Sequence, residues 1–339
     1  MRFTQLLGFM QAGLAVAGPL ATNTQSETRS LAPRAGQTYF NIGQNYPNEL
    51  NGFESGVKRA AGISVYGNIY DGTLNSDSVA LLAAYAGGNR RGYVEIGLSW
   101  KDDMISHGYS QYEGARLCND IAAGKFDSSL QKFAQYLKGF PDVKFLLRVD
   151  YEVSGNLHAN TNPTKFDDST FDLKAYPAAF AHVRQVVSGT VSNVEYVFHP
   201  VRGSAQQLYP GNNVVDWQGF SIFNNDVCLN VGSTSNCVGS RLDPNVLKDI
   251  QFATKPKIIA ESAPQPPASG NQNDFIDYLT RVRDMVEQYD FAAWTYINSD
   301  WNAHGWDAAT WGDSRVESHP AVLQWFQQNI ANNPRYIFG

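Results

Sequence analysis

From residue 37 onward, the chain alternates short runs rich in β-branched and aromatic residues with longer amphipathic runs. This alternation restricts the fold strongly, because strands separated by helices form parallel sheets. The predicted strands are Thr38–Ile42, Ile63–Ile69, Tyr93–Ser99, Val143–Val149, Val194–Phe198, Val214–Ile222, Lys257–Ala260 and Phe291–Thr295. The predicted helices are Glu49–Ala61, Ser76–Ala86, Ser128–Lys138, Ala175–Val187, Pro244–Phe252, Asn273–Gln288 and Pro320–Asn329. Eight strands with helices between and after them predict an α/β fold, a single-domain (β/α)8 TIM barrel spanning residues 37–339.

A doubly wound open sheet is the alternative architecture. No glycine-rich phosphate loop opens the first strand-to-helix turn, which argues against a nucleotide-binding version of that fold. Asp127 and Asp243 are expected helix N-caps, and Pro244 suits a first helical position.

The composition excludes several function classes. Hydrophobic residues make up 43% and charged residues 17% of the 339-residue chain, which is too apolar for a disordered protein. The formal net charge of −6 argues against a nucleic-acid-binding surface. Aromatic residues reach 13%, which suits sugar stacking but also suits a large core.

Residues 1–17 have the features of a secretory signal peptide. Arg2 precedes an apolar run from Leu6 to Gly18, and Ala15-Val16-Ala17 supplies a small-residue cleavage signal. The run is too short to span a bilayer, and a buried core helix is the alternative. Residues 18–36 are predicted to be a leader or pro-segment outside the fold. We therefore expect a secreted, extracellular protein without a membrane partner.

The three cysteines are consistent with export. Cys228 and Cys237 lie nine positions apart in a polar loop, which predicts a local disulfide, and Cys118 is left over and expected to be buried. No His and Cys residues have zinc-ligand spacing, so we expect neither a metal nor another cofactor.

Two predicted strands end at a glutamate. The fourth runs into Glu152 and the seventh into Glu261, where side chains emerge at the mouth of a barrel. Glycosidic bond cleavage needs one protonated carboxyl for the leaving oxygen and one carboxylate for the anomeric carbon. Strands four and seven lie across the ring from each other, so the pair predicts a glycosidase. A glutamate at a strand end can also be a solvated cap or an ion-pair partner.

Arg148 lies four residues before Glu152, on the same face of a regular strand. It is placed either to stabilise Glu261 or to form an ion pair inside the barrel, for instance with Asp150. Both interpretations remain open from the sequence.

Several short motifs resemble glycoside hydrolase family 26, in the retaining clan A of barrel glycosidases. They include Ile121–Asp127 with the helix after it, the run from Arg148 through Glu152 to Gly155, Tyr209-Pro210-Gly211 followed by Val215-Asp216-Trp217, and Lys255-Pro256 leading to Glu261. The resemblance covers roughly residues 40 to 325. Members of that family include β-mannanases, lichenase-type β-glucanases and β-1,3-xylanases.

The resemblance implies that Glu152 is the general acid/base and Glu261 the nucleophile. Glu152 then needs a raised pKa, from partial burial and from the charge of Glu261. Three positions depart from the family pattern: Tyr151 replaces a histidine, Phe223 replaces a tyrosine whose hydroxyl would bond the nucleophile, and Lys101 follows Trp100 where the family has histidine. These changes fall near the expected sugar site. The alternative is therefore a sister family of clan A that binds a sugar other than mannose at that site.

Further residues are expected to contact sugar. Tyr151 and Phe223 belong to the site that the resemblance implies. Trp100 and Trp294 are candidate stacking platforms, with the core as the alternative for each.

Asn298 and Trp301 follow the eighth strand, in a loop that also carries Trp306 and Trp311. His199 ends the fifth strand and is expected either to hydrogen-bond a sugar hydroxyl or the acid/base, or to be a structural histidine.

The sequence thus predicts a secreted, monomeric, retaining glycoside hydrolase that acts within a β-linked polysaccharide, with β-mannan as the first expectation. β-Glucan, β-xylan and galactan are the alternative substrates. A non-catalytic carbohydrate-binding barrel is the alternative of a different class. A metal-dependent deacetylase or lyase is disfavoured by the spacing of the few histidines.

Overall fold

Eight parallel strands close into a barrel in the computed structural model, which describes residues 31–43, 46–88, 90–100, 117–153, 173–229, 237 and 241–339. The barrel strands are β1 (Thr38–Gly43), β2 (Gly62–Asn68), β4 (Val94–Ser99), β5 (Phe145–Val149), β6 (Val194–Phe198), β7 (Trp217–Ile222), β8 (Lys257–Ser262) and β9 (Ala293–Ile297). Each pairs in parallel with the next, and β1 pairs with both β2 and β9, which closes the ring. The predicted (β/α)8 barrel is confirmed.

Two short strands extend the sheet. β3 (Thr73–Leu74) pairs antiparallel with β2, and β10 (Tyr336–Ile337) pairs in parallel with β1. The end of the chain therefore returns to the barrel beside its first strand.

The helices surround the barrel. They are α1 (Pro47–Gly56), α2 (Ser76–Ala86), α3 (Leu117–Ala122), α4 (Asp127–Lys138), α5 (Tyr176–Ser188), α6 (Ala205–Leu208), α7 (Pro244–Phe252), α8 (Gln272–Gln288) and α9 (Pro320–Phe326). The prediction for α1 runs five residues too far, because the chain leaves the helix at Val57 and turns toward β2.

The two predicted helix caps have different outcomes. The Asp243 side chain accepts a hydrogen bond from the Asn245 amide and caps α7, as predicted. Asp127 is instead the first helical residue of α4, and Phe126 occupies the N-cap position. The Asp127 carboxylate still lies in the first turn of α4, where its negative charge interacts favourably with the helix dipole.

The barrel interior is layered, because residues two apart on a strand face the same side. The layer nearest the strand starts is apolar and contains Tyr93, Leu146, Val197, Trp217, Ile258 and Ala293. Two residues further along β4, β5 and β9, and directly after β6, come four buried polar side chains, those of Glu95, Arg148, Thr295 and His199. The strand ends above this layer carry the candidate functional groups.

Residues 31–36 belong to the fold, which corrects the prediction that all of 18–36 lies outside it. Leu31 and Ala32 pack against the apolar layer at the bottom of the barrel. The Leu31 amide donates to the Glu195 carboxylate at 2.9 Å, and the Gly36 amide donates to Asp290 at 3.0 Å. The predicted signal peptide, and the leader up to residue 30, lie outside the described residues.

The predicted disulfide between Cys228 and Cys237 is present, and Cys118 is buried as expected. None of the helices in the described part of the chain combines the length and apolar character needed to cross a bilayer.

Candidate active site

Glu152 stands on a turn that leaves β5 in an unusual conformation. Asp150 and Glu152 have φ values of 50° and 52°, in the left-handed region that costs a residue with a side chain about 1–2 kcal/mol. Strain of this kind concentrates at functional sites. The strand stops at Val149, and the turn holds Glu152 above the polar layer of the barrel.

Glu261 lies near the end of β8 and is almost fully buried, with 5% of its surface exposed. The register between β7 and β8 shifts by one residue after Phe220, so that Ser221 lies beside Glu261. Such irregularities are frequent next to active sites because they redirect a side chain. The shift brings the Ser221 and Glu261 positions level on neighbouring strands.

Arg148 is the counterion of Glu261. Its Nη1 lies 2.5 Å from Oε1 of Glu261, and its Nε lies 2.7 Å from Oε1 of Glu95. The arginine is fully buried, so both ion pairs are shielded from water. The sequence left two interpretations open, and the structure shows both kinds of contact: one ion pair with Glu261, and one inside the barrel with Glu95.

Glu95 is held on its other side by a threonine. Thr295 Oγ1 donates to Oε2 of Glu95 at 2.8 Å. Burial raises the pKa of Glu95 to about 7, against the opposing effect of the Arg148 charge. The Glu95 side chain therefore belongs to an internal ion pair with Arg148 and is held there by Thr295.

A tyrosine that sequence reasoning missed also binds Glu261. The Tyr66 hydroxyl donates to Oε1 of Glu261 at 3.0 Å from the end of β2. This donor supplies the hydroxyl that the phenylalanine at 223 lacks. Gly97 on β4 makes room for it, because a Cβ there would lie 2.7 Å from the Tyr66 ring.

Glu152 receives a hydrogen bond from Ser221, with Oγ 2.5 Å from Oε1. Burial raises the pKa of Glu152 to about 7, and the negative charge of Glu261 raises it further, while the Ser221 hydrogen bond opposes the shift. The two carboxyl groups therefore interact electrostatically. One is surrounded by donors and a cation, and the other tends to keep its proton near neutral pH.

An aromatic cleft of about 280 Å³ adjoins this pair. Its aromatic lining consists of Tyr46, Tyr66, Tyr151, Trp301 and Trp306, and its polar lining includes Ser64, Asn75 and Asp77. The Arg148 guanidinium lies 5.1 Å from the Tyr66 ring centre and 5.0 Å from that of Tyr151. The tyrosine rings that line the cleft thus cover the buried arginine.

Three predicted sugar contacts are wrong. Trp294 is fully buried, because it alternates with the inward-facing Ala293 and Thr295 and so faces the helices. Trp100 is fully buried against Tyr176. The Asn298 amide is buried and donates to the Glu317 carboxylate, so it supports the loop rather than the cleft.

The remaining candidates differ in position. Tyr151 and Trp301 line the cleft. Phe223 is partly buried and packs edge-on against Trp311, with ring centres 6.0 Å apart. His199 is fully buried and bonded to Arg148 and Ser221, which matches the structural alternative for that residue.

Lys101 lies outside the described residues, and so do Asn156 and His158, two polar neighbours of Glu152 that are further candidates for substrate contact. Within the described ranges, no group of three or more His, Cys, Asp or Glu side chains is arranged to hold a metal ion.

Comparison with known proteins finds glycoside hydrolases that are similar to this chain in sequence and in fold. The chain is 25% identical to a β-1,3-xylanase of an Alcaligenes species, over 96% of this chain and 69% of that enzyme. It is 24% identical to the β-1,3-xylanase TXYA of a Vibrio species, over 96% of this chain and 71% of that enzyme. The chain matches no protein-family model.

The fold is shared with mannanases of known structure. A ruminal GH26 endo-β-1,4-mannanase superimposes with a TM-score of 0.56 at 13% identity, covering 90% of this chain and 65% of the other. The β-1,3-xylanase relatives support glycosidase activity, and the superposition shows that the barrel fold is shared with a family 26 mannanase.

Proposed function

We propose that this family 26-like protein is a secreted, retaining endo-glycosidase that cleaves a β-linked polysaccharide, with Glu152 as general acid/base and Glu261 as nucleophile. The observation that carries the proposal is the contrast between the two carboxyls. Glu261 faces Arg148 at 2.5 Å, whereas burial and the charge of Glu261 raise the pKa of Glu152 to about 7. This chemistry needs one carboxylate beside a cation and a second carboxyl whose pKa is raised.

In the first step, an Oε atom of Glu261 attacks the anomeric carbon while Glu152 gives its proton to the leaving oxygen. The C–O bond to the leaving sugar breaks, and a glycosyl ester of Glu261 forms. The Tyr66 hydroxyl and Arg148 both contact Oε1 of Glu261, which supports Oε2 as the attacking atom. The departing chain end leaves as a neutral alcohol.

In the second step, the charge on Glu261 has been consumed in the ester. That charge raises the pKa of Glu152, so its loss lets Glu152 release its proton and act as a base. Glu152 then takes a proton from water as the water attacks the anomeric carbon. The ester bond breaks, and the carboxylate of Glu261 is regenerated with net retention.

For the substrate, we rank β-1,3-xylan ahead of the initially expected β-mannan. The sequence relatives that span 96% of this chain are β-1,3-xylanases, whereas the ruminal mannanase shares the fold at 13% identity. An open aromatic cleft with the half-exposed Trp306 suits an extended chain of sugars, which supports endo action. We propose secretion from the apolar N-terminal run and from the disulfide.

The test uses Glu152→Gln, Glu261→Gln and the exposed control Glu287→Gln. Activity is measured on β-1,3-xylan, β-mannan, mixed-linkage glucan, β-1,3-glucan and galactan, with product sizing. Glu152→Gln should lose about 10²–10⁴-fold on polysaccharide, and less on an aryl oligosaccharide whose leaving group needs no proton. Glu261→Gln should be inactive on both, and Glu287→Gln should match the unchanged protein.

The anomeric configuration of the first product, followed by NMR, tests the mechanism itself. Retention is expected, and inversion would exclude the glycosyl ester of Glu261. Binding of polysaccharide without hydrolysis on the whole panel would instead favour the non-catalytic carbohydrate-binding barrel.

A further inference from the structure

A continuous series of side chains, of which Arg148 and His199 are fully buried and Ser221 is partly buried, joins the two glutamates. Arg148 Nη1 contacts Glu261 at 2.5 Å and lies 3.4 Å from Nδ1 of His199. His199 Nε2 lies 3.1 Å from Ser221 Oγ, and that oxygen lies 2.5 Å from Oε1 of Glu152. We call Arg148, His199 and Ser221 the connecting triad.

The hydrogen positions in the connecting triad follow from chemistry. A guanidinium can only donate, so Nδ1 of His199 must accept from Arg148. Burial and the Arg148 charge hold the pKa of His199 well below its usual value, so the ring is neutral and carries one proton. That proton is therefore on Nε2 and is donated to Ser221, which leaves the Ser221 hydroxyl free to donate to Glu152.

From this polarity we propose that Ser221 and His199 are positioning residues that keep the acid proton of Glu152 on Oε2. Oε1 of Glu152 already accepts the hydrogen of the Ser221 hydroxyl. A second proton on Oε1 would lie close to that hydrogen and repel it. Reversing the serine would make its oxygen accept from both His199 and Glu152, and its own proton would then have no acceptor among the contacts of the described residues. The inference rests on the proposed role of Glu152 as acid/base. It adds a reason why Oε2, and not Oε1, gives the proton to the leaving oxygen.

The backbone around the connecting triad has the shape that this arrangement needs. Gly219, on the same strand as Ser221, lies so close to His199 that a Cβ there would be 3.0 Å from the His199 Cβ. The register shift after Phe220 brings Ser221 level with Glu261. The histidine and the serine therefore owe their positions to a glycine and an irregularity in β7 and β8.

The same hydrogen bond affects both half-reactions. Donation from Ser221 favours the ionised form of Glu152, the form that acts as base in the second step. The charged groups that act on Glu152 are Glu261, Arg148 and Asp226, and Asp226 is itself paired with Arg202. Removing the serine hydroxyl leaves those charges in place, so its effect can be measured separately.

The experiment records kcat/KM against pH for the full chain and for Ser221→Ala, Ser221→Thr and Ser314→Ala. Ser221→Ala should move the alkaline limb to higher pH by about one unit, because the lost hydrogen bond favours ionised Glu152. Ser221→Thr keeps the hydroxyl and should restore the original limb. Ser314 is fully buried and hydrogen-bonded to backbone carbonyls away from Glu152, so Ser314→Ala should leave the limb unmoved.

The outcomes separate this inference from the proposed function. Polysaccharide hydrolysis at an unchanged rate in Glu152→Gln contradicts the proposed function. If Glu152→Gln is inactive but folded Ser221→Ala keeps the original limb, only the positioning role is wrong. Should Ser221→Ala not fold, Ser221→Cys provides a weaker donor of similar size, and its limb should move in the same direction by less. An unmoved limb in that variant also overturns the inference.

Discussion

At the residue scale, Glu152 combines a strained backbone, burial and a nearby like charge. Its φ of 52° and its pKa of about 7 both depart from what an exposed glutamate adopts. A general acid must be protonated in the free enzyme, so its activity is present below its pKa and lost above it. Under the proposed mechanism, the alkaline limb of the pH–rate profile therefore follows the ionisation of Glu152.

We expect kcat/KM to fall as pH rises through about 7, with a limb that follows the loss of one proton from Glu152. The reason is burial first and the charge of Glu261 second. The measurement is a pH–rate profile on polysaccharide between pH 4 and 9, each value buffered at constant ionic strength. A profile that stays level up to pH 9 would show that Glu152 does not donate the proton.

Tyr66 acts on the other carboxyl. Tyr66→Phe removes the hydroxyl that donates to Glu261 at 3.0 Å and keeps the ring that lines the cleft. A hydrogen bond to a charged group contributes about 1.5–3 kcal/mol, so kcat should fall by about 10- to 100-fold. The matched control is Tyr85→Phe, whose hydroxyl bonds only a backbone carbonyl among its described contacts. Equal rates for the two variants would rule out a role of the Tyr66 hydroxyl.

At the element scale, the close approach of β2, β4 and the turn after β5 positions the aromatic cleft. Gly97 on β4 leaves the space that the rings of Tyr66 and Tyr151 occupy, since a Cβ added there would lie only 2.7 Å and 3.0 Å from their nearest atoms. The two rings pack edge-to-face with centres 5.4 Å apart. A side chain at position 97 has to displace one of them.

We expect Gly97→Ala to lower both activity and stability, by more than 10-fold in kcat/KM if the Tyr66 hydroxyl leaves Glu261, and by about 1–3 kcal/mol in unfolding free energy. The control is Gly56→Ala at the end of α1, where a Cβ has no neighbour within 4 Å. Steady-state kinetics and urea unfolding on both variants give the comparison. Full activity in Gly97→Ala would mean that the rings adjust without affecting Glu261.

The strands were predictable because a strand buried on both faces is a continuous apolar run, and the two glutamates were found because such runs stop at them. The same reasoning failed for Trp294, since it ignored alternation: Trp294 sits between two inward-facing residues and must face the helices. Tyr66 and Ser221 could not be found this way. Tyr66 reaches Glu261 on β8, and Ser221 reaches Glu152 on the turn after β5. These contacts depend on the register of the barrel strands and on the shift after Phe220.

At the scale of the whole molecule, the open end of the barrel extends its binding surface beyond the two glutamates. Trp306 is 49% exposed, lines the cleft, and is supported by Trp301 and Trp311 with ring centres 5.0 Å and 6.0 Å away. A ring held in this way offers a flat apolar face to a sugar. Its contribution should depend on how far the substrate extends.

We expect Trp306→Ala to raise KM about 3- to 10-fold on long polysaccharide and to leave short oligosaccharides unaffected, because only long chains reach the ring. The control is Val79→Ala on α2, which truncates an apolar side chain that is 41% exposed and not among the cleft-lining residues. Michaelis parameters across a series of chain lengths provide the measurement. A uniform loss at all lengths would place Trp306 beside the reacting sugar instead.

The closed end of the barrel is the counterpart of this open cleft. Leu31 and Ala32 cover the apolar bottom layer, and the Leu31 amide donates to Glu195 at 2.9 Å. Glu195 also accepts from the Trp217 indole inside the barrel, so removing residue 31 leaves a half-buried carboxylate with one donor fewer. A covered bottom helps to keep water from the charged layer above it, where burial raises the pKa of Glu95.

The free energy of unfolding of a chain that begins at residue 37 should therefore be about 1–3 kcal/mol lower than that of a chain that begins at residue 31. The difference combines lost apolar contact from Leu31 with the lost hydrogen bond to Glu195. Urea unfolding of the two chains under identical conditions measures it, and Leu31→Ala in the longer chain isolates the apolar part. Equal unfolding free energies would show that residues 31–36 contact the barrel without stabilising it. The exclusion of water from the polar layer would then depend on the barrel strands alone.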